Sequence, residues 1–466
     1  SQPGEPAEEK EAVSWYPSAR VDELKLDATA RLSILARREP QTTALGVSQA
    51  DGAKEQSHRI IVFYSAPLVG RDEGKRLHAL AALNFDRERD HLWKSFEEAK
   101  KDIELHFDTA TTNRLTNALT EGFDCLHFSC HGFERTNVLA FEDGYGGLHG
   151  LQVNELKDML SSKGPDKAVP IKFVFVSACY SENIGRTFVE AGVRHVVCCK
   201  QEKKVLDIAA LEFTSHFYKA LALHHTVQEA FHIGRTSVKS SPSVPNSENE
   251  MSNFLLLPED GDHNVYVFPA APDVEYWPMK ALHPTRAKQS KKSRRGSHHW
   301  QIMNAFELEV RNRIQEKPSP PPPPNFLGRE VEMHTILDSL FKDNQRLVSL
   351  VGEKGIGRRS VAKAVCHYIN ERRSTIPIDH IIYVYPPPSF HSGRNTSLIE
   401  SLHKKLLDAN LMKSDSAELF ESISKAFRTN KKFLVVFDRV SEGGRGEDNQ
   451  LPLLLNILFE ETVNVN

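Results

Sequence analysis

Between residues 58 and 270, short apolar runs alternate with longer segments whose apolar positions recur every three or four residues. The runs at Ile60–Tyr64, Ile103–Asp108, Phe123–Ser129, Val138–Phe141, Lys172–Ala178 and His195–Cys199 predict strands. The periodic segments predict helices at Asp86–Lys101, Thr111–Thr120, Asn154–Ser161, Gly185–Glu190, Val205–Leu223 and Val227–Val238. A helical period places Leu206, Ala210, Phe213 and Phe217 on one face, and likewise Val227, Ala230, Phe231 and Gly234. Strands alternating with helices predict an α/β/α domain with a mostly parallel central sheet.

The pattern changes on either side. Residues 1–57 are a polar lead-in with one short helical pattern, Val21–Arg38. Residues 271–324 read as a linker. It holds a basic cluster (Lys288, Lys291, Lys292, Arg294 and Arg295) and the nearly all-proline run Pro318–Pro324, which should be extended and stiff. Residues 325–466 open a second α/β domain. Its expected strand Arg346–Val351 runs into a glycine-rich loop and a helix, and a very apolar strand, Phe433–Phe437, ends at Asp438. Only 28 residues follow Asp438, so this domain reads as incomplete, and the initial Ser1 suggests a trimmed chain or a fragment.

Composition narrows the functional classes. A net charge of −3 over 466 residues gives no chain-wide basic surface for nucleic acid. No apolar run approaches the roughly 20 residues of a membrane-spanning helix. Six cysteines are too few for a disulfide scaffold, and reduced thiols in the cytoplasm are expected; the basic cluster leaves the nucleus as the alternative. Cys125 and Cys130 are too far apart for a zinc knuckle, so no metal is expected in the first domain.

Two strand ends carry candidate chemistry. One is Leu126-His127-Phe128-Ser129-Cys130-His131-Gly132 and the other is Phe173-Val174-Phe175-Val176-Ser177-Ala178-Cys179. Open α/β sheets place their sites beyond the carboxyl ends of the strands, so neighbouring parallel strands would deliver His131 and Cys179 to one edge. The histidine precedes the cysteine by 48 residues, close to the caspase spacing. A thiol is mostly protonated at neutral pH, and an imidazole can take its proton and later protonate a leaving amine. The backbone N–H groups of Gly132 and Cys179 are candidates for the oxyanion. A strand-end cysteine is also a common core residue, and the residue pattern alone leaves both readings open.

The segment from about His58 to Val238 resembles a CHAT domain, a caspase-like clan CD peptidase family. The resemblance rests on "LHFSCHG" at 126–132, "LHGLQVNEL" at 148–156, "FVFVSACYS" at 173–181, "FVEAGVRHVVCC" at 188–199 and the helical piece at 213–238. It implies a caspase-like fold, with His131 as general base and Cys179 as nucleophile. The following glycine and the family match choose His131 over His127, which reads as structural. Ser177 stands two before the cysteine, where metacaspases that cut after basic residues place an acid, so this position assigns no specificity. Glu142, Asp143 and Glu182 are candidate pocket acids.

In the second domain, Gly352-Glu353-Lys354-Gly355-Ile356-Gly357-Arg358-Arg359-Ser360 fits the glycine spacing of a phosphate-cradling Walker A loop. Asp438 fits a Walker B carboxylate that would hold Mg²⁺. Arg358 replaces the loop lysine, Arg359 replaces the Mg²⁺-binding hydroxyl residue, and Ser360 falls one position late. With Phe326-Leu327-Gly328-Arg329-Glu330 upstream, the region resembles the STAND group of signal-transduction NTPases, which includes NB-ARC and NACHT proteins. The resemblance implies ATP or ADP binding, with Mg²⁺ in doubt and slow turnover. Together the two domains suggest a cytoplasmic cysteine endopeptidase acting on protein substrates in defence or cell-death signalling, activated by NTPase-driven homo-oligomerisation. The other reading is a non-enzymatic scaffold that uses both folds for interaction.

Overall fold

The computed structural model describes residues 58–268, 302–304 and 326–460, apart from 82, 84, 100–102, 135–136, 162–170, 203, 386–397, 413–418 and 439–449. The expected Val21–Arg38 helix, the basic cluster and the proline run lie outside the described residues. The described residues fall in one compact unit.

In the first module, strand β1 (His58–Tyr64), the short hairpin β2 (Val69–Arg71) and β3 (Leu77–Ala79), and helix α1 (Phe85–Ala99) come first. Strand β4 (Ile103–Thr109), helix α2 (Thr112–Glu121) and strand β5 (Cys125–Ser129) follow. Next are the hairpin β6 (Val138–Glu142) and β7 (Leu148–Gln152), helix α3 (Val153–Ser161), strand β8 (Phe173–Ser177), helix α4 (Glu182–Glu190) and strand β9 (Val196–Cys199). Helices α5 (Asp207–Ala222), α6 (Val227–Ser240) and α7 (Ser247–Met251) lead to β10 (Phe254–Leu257) and β11 (Ile302–Asn304).

The sheet order is β10-β9-β8-β5-β1-β4-β11, parallel throughout except for the β10–β9 edge. Residues 302–304, inside the stretch read as linker, thus extend the sheet beside β4. The hairpin β6–β7 stands apart from this sheet. The strand expected at Val138–Phe141 forms, and it pairs locally with Leu148–Gln152, a half-polar run that gives little strand signal.

Alternate strand residues feed opposite faces, as a two-residue period requires. Ile60, Val62, Leu105, Phe173 and Phe175 pack under α1, α5 and α6 with Phe96, Phe213 and Phe217. Ile61, Phe63, Leu126, Phe128 and Val176 pack under α2, α3 and α4 with Leu115, Leu156 and Phe188. Each fully buried Phe contributes about 1.5–3 kcal/mol, so the aromatic face of α5 anchors one layer. Local signals fix the helix starts. Thr111 accepts from the Arg114 N–H ahead of α2, and Thr226 and Glu229 form a capping box on α6.

The second module contains helices α8 (Glu330–Phe341) and α9 (Arg358–Glu371), strand β12 (His380–Val384), helices α10 (Leu398–Asp408) and α11 (Leu419–Phe427), strand β13 (Phe433–Phe437) and helix α12 (Gln450–Glu460). β12 and β13 pair in parallel, with α8 and α9 packed on one face and α10, α11 and α12 on the other. The strand expected at Arg346–Val351 does not form. Leu347 is 52% and Val351 87% exposed, and no described strand lies beside them to take their backbone hydrogen bonds.

Candidate active site and phosphate loop

β5 and β8 are parallel neighbours, and Ser129 lies opposite Ser177. Their ends release the loops carrying His131 and Cys179 at the same level. Gly132 sits directly against the Cys179 peptide. A Cβ there would fall 1.7 Å from the Cys179 carbonyl oxygen and 3.1 Å from its nitrogen, so only glycine allows this approach. Tyr180, immediately after Cys179, adopts a left-handed φ of 55°, uncommon for a bulky residue, which turns the chain sharply there. Ser181 pins the turn by donating to the Val176 carbonyl and accepting from the Cys199 N–H.

The His131 ring bonds through Nε2 to the Ala81 carbonyl at 2.7 Å. A carbonyl can only accept, so the proton sits on Nε2 and Nδ1 is left as the basic nitrogen. The Cys179 thiol is half-buried and faces Val205, whose N–H reaches Sγ at 3.4 Å and whose carbonyl lies at 3.6 Å. Among the described residues no hydrogen bond joins His131 to Cys179. Burial pushes the Cys179 thiol up; the Val205 contact lowers it and Asp207 raises it further. Beside this corner lies a cleft of 650 Å³ whose lining includes Arg71, His78, Leu80, Phe133, Asn137 and Gln152. Asn137 links it to the cysteine side, since Asn183 donates to the Asn137 side-chain oxygen at 2.7 Å.

His127 lies elsewhere. It is fully buried, with Nδ1 3.0 Å from the Tyr218 hydroxyl and Nε2 3.1 Å from Glu88. Ser129 donates to the other Glu88 oxygen. All three candidate pocket acids are committed to other contacts. Glu142 is buried against Arg372 and Tyr368 of the second module, and Asp143 pairs with Lys342. Neither lines the cleft, which the β6–β7 hairpin meets instead through Val138, Leu148, Gly150 and Gln152. Glu182 pairs with Arg186 at the surface. Among the described residues, no group of three or more His, Cys, Asp or Glu is placed to hold a metal, and no helix is long and apolar enough to cross a membrane.

In the second module the loop 352–357 is open to solvent. Gly355 and Gly357 have φ of 94° and 95°, the left-handed turns that let the loop curl before α9. Arg358 and Arg359 begin α9, followed by Ser360. Gly352 packs near Ile356 and the Arg358 stem. Arg329, from the upstream Gly-Arg-Glu, donates to the Ile356 carbonyl at 3.2 Å and so ties that segment to the loop. The Arg359 guanidinium pairs with Asp438 at 2.5 Å.

The CHAT domain model matches residues 1–300. The chain belongs to the CHAT-domain family. An NB-ARC domain model matches residues 329–451. The mixed α/β fold with its mostly parallel central sheet is caspase-like. Among solved structures, the Arg-specific cysteine proteinase gingipain R is similar at 11% identity and a TM-score of 0.32, over 45% of this chain and 47% of that one, so the chain spans about half of that protein's length. No curated protein matches the chain.

The CHAT domain brings Gly132 and Cys179 together and sets His131 on a backbone anchor. Sequence reasoning missed Ala81 and Val205, which act through backbone atoms and carry no residue signature. Tyr180 was missed as well, because its left-handed turn leaves no mark in composition.

Proposed function

We propose that the CHAT domain is a cysteine endopeptidase with Cys179 as nucleophile and His131 as general base and acid. The contact of Gly132 with the Cys179 peptide carries this reading, because it joins the two strand-end loops into one corner. In the reaction, His131 Nδ1 takes the thiol proton while sulfur attacks the peptide carbonyl carbon. The oxyanion that forms would be met by the Gly132 and Cys179 N–H groups. The C–N bond then breaks as the imidazolium returns its proton to the leaving amine. Water, deprotonated by the same imidazole, hydrolyses the thioester. The thiol must first turn from Val205 towards His131, a side-chain rotation that substrate binding or activation would drive.

Among the described residues, the cleft lining carries Arg71 and His78 and no carboxylate, which favours an acidic over a basic substrate side chain. Acting on protein substrates in the cytoplasm, where six free thiols stay reduced, the enzyme would be switched by nucleotide-dependent homo-assembly of the second module, in defence or cell-death signalling. The engagement of Cys179 with Val205 favours a second reading, a scaffold without peptidase activity.

Acyloxymethyl ketone probes bearing Asp, Arg, Lys or Leu separate these readings. Wild type, Cys179→Ala and His131→Ala are compared with and without nucleotide. The expected result is Cys179-dependent labelling, strongest with the Asp probe. Labelling that survives Cys179→Ala, or silence with every probe in nucleotide-loaded, assembled protein, would overturn the peptidase assignment.

A further inference from the structure

Phosphate loops ordinarily offset nucleotide charge with a lysine and a divalent cation, the cation held through a loop hydroxyl and a strand-end carboxylate. The residues here do not fit that cation. The hydroxyl position is Arg359, and its guanidinium Nε already lies 2.5 Å from Asp438 Oδ2. A metal at Asp438 would have to displace a permanent positive charge, because arginine does not lose its proton in proteins.

Asp438 is built to stay in place. Its N–H donates to the Val384 carbonyl at 2.8 Å, and the Tyr383 hydroxyl donates to its carboxylate at 3.3 Å. The carboxylate is 13% exposed and Arg359 is 47% exposed. One edge of the guanidinium is thus committed to the strand end, while the side chain remains open to solvent at the start of α9. A planar fork with several N–H donors suits phosphate oxygens. Lys354 and Arg358 flank the same loop, and Arg329 is bonded to it.

We propose that Arg359 is a built-in cation standing where NTPases of this class recruit Mg²⁺, and that the loop takes a nucleoside di- or triphosphate without a divalent metal. This rests on the NB-ARC match and is independent of the peptidase assignment.

Equilibrium binding of a fluorescent ADP analogue to the full chain tests the idea, in EDTA and in millimolar Mg²⁺. Wild-type affinity should agree within about twofold between the two buffers. Arg359→Ser frees Asp438 and restores a hydroxyl, so Mg²⁺ should then tighten binding by about tenfold or more, while EDTA weakens it below wild type. Thermal melting of each variant checks that it folds. Wild-type binding that requires Mg²⁺ would overturn the proposal. So would the absence of binding in both buffers, because Arg359 would then be closing the loop rather than serving it. An Arg359→Ser variant that remains indifferent to Mg²⁺ would also refute it.

Discussion

Cys179 rests as a thiol facing the Val205 backbone, and burial holds its proton on. The His131 imidazole is anchored to Ala81 through Nε2, and among the described residues its Nδ1 makes no hydrogen bond. This resting state differs from a preformed thiolate–imidazolium pair, and the difference can be measured. Alkylation by iodoacetamide, read by mass spectrometry at Cys179, should have a pH midpoint above the ordinary thiol value of about 8.5. A midpoint well below it would mean that the ion pair already exists. Gly132 gives a second test at this scale. Gly132→Ala pushes a methyl group into the Cys179 carbonyl, and the two loops must separate. Displacements of about 1 Å at a reacting centre cost about a hundredfold in rate. Probe labelling should fall by at least that factor, while Gly122→Ala, away from the corner, should leave it unchanged.

At the scale of elements, β9 and the loop after β10 are joined by two imidazoles. His263 Nε2 donates to the Pro258 carbonyl, so its Nδ1 accepts from His195 Nδ1 at 2.8 Å. Burial and then His263 lower the His195 value to about 4, with Arg194 adding to the shift and Asp262 opposing it. The unfolded chain takes up a proton near pH 6.5 and the folded chain only near 4. Stability is therefore full above about 6.5 and falls as pH drops towards 4, by at most ~1.4 kcal/mol per pH unit. The melting temperature should follow that course, and His195→Gln should flatten it; equal slopes in both proteins would exclude the pair as the cause. Elements like β9 were legible because strands buried on both faces leave dense apolar runs such as Val196-Val197-Cys198-Cys199. The β2–β3 and β7 strands were not, since short, half-polar runs have little to distinguish them from loops. Arg346–Val351 misled for the opposite reason: an apolar run signals the capacity to form a strand, whereas a ladder needs a neighbour. The His-Gly and Ala-Cys positions were legible as motifs, while their backbone partners Ala81 and Val205 were not. The Arg359–Asp438 pair was visible only as a departure from the expected loop.

At the scale of the whole molecule, α9 runs from the phosphate loop to the peptidase fold. Arg358 and Arg359 stand at its start, and Arg372 follows its end. Arg372 forks onto Glu142, with Nε to Oε2 at 2.7 Å and Nη2 to Oε1 at 2.9 Å, and both side chains are almost wholly buried. Tyr368 donates to the same carboxylate at 2.8 Å and lies under the guanidinium, and the Ala66 N–H completes the acceptor's bonds. Around this centre, Tyr64 donates to the Glu371 carbonyl and Ser374 to Asp108. Tyr64 ends β1, whose neighbour β5 leads into the His131 loop, so the contact lies on the edge of the sheet that carries the candidate chemistry. A buried pair adds little net stability over an apolar replacement, but removing one partner strands the other charge. Arg372→Ala should therefore cost about 3–5 kcal/mol in chemical denaturation of the full chain. The double variant Glu142→Leu with Arg372→Met should recover a large part of that loss. A single variant that costs less than about 1 kcal/mol would show that the carboxylate is hydrated and the contact open in solution. If the double variant recovers stability yet uncouples probe labelling at Cys179 from added nucleotide, then the ion pair's role is to carry the state of the loop to the candidate Cys179 corner.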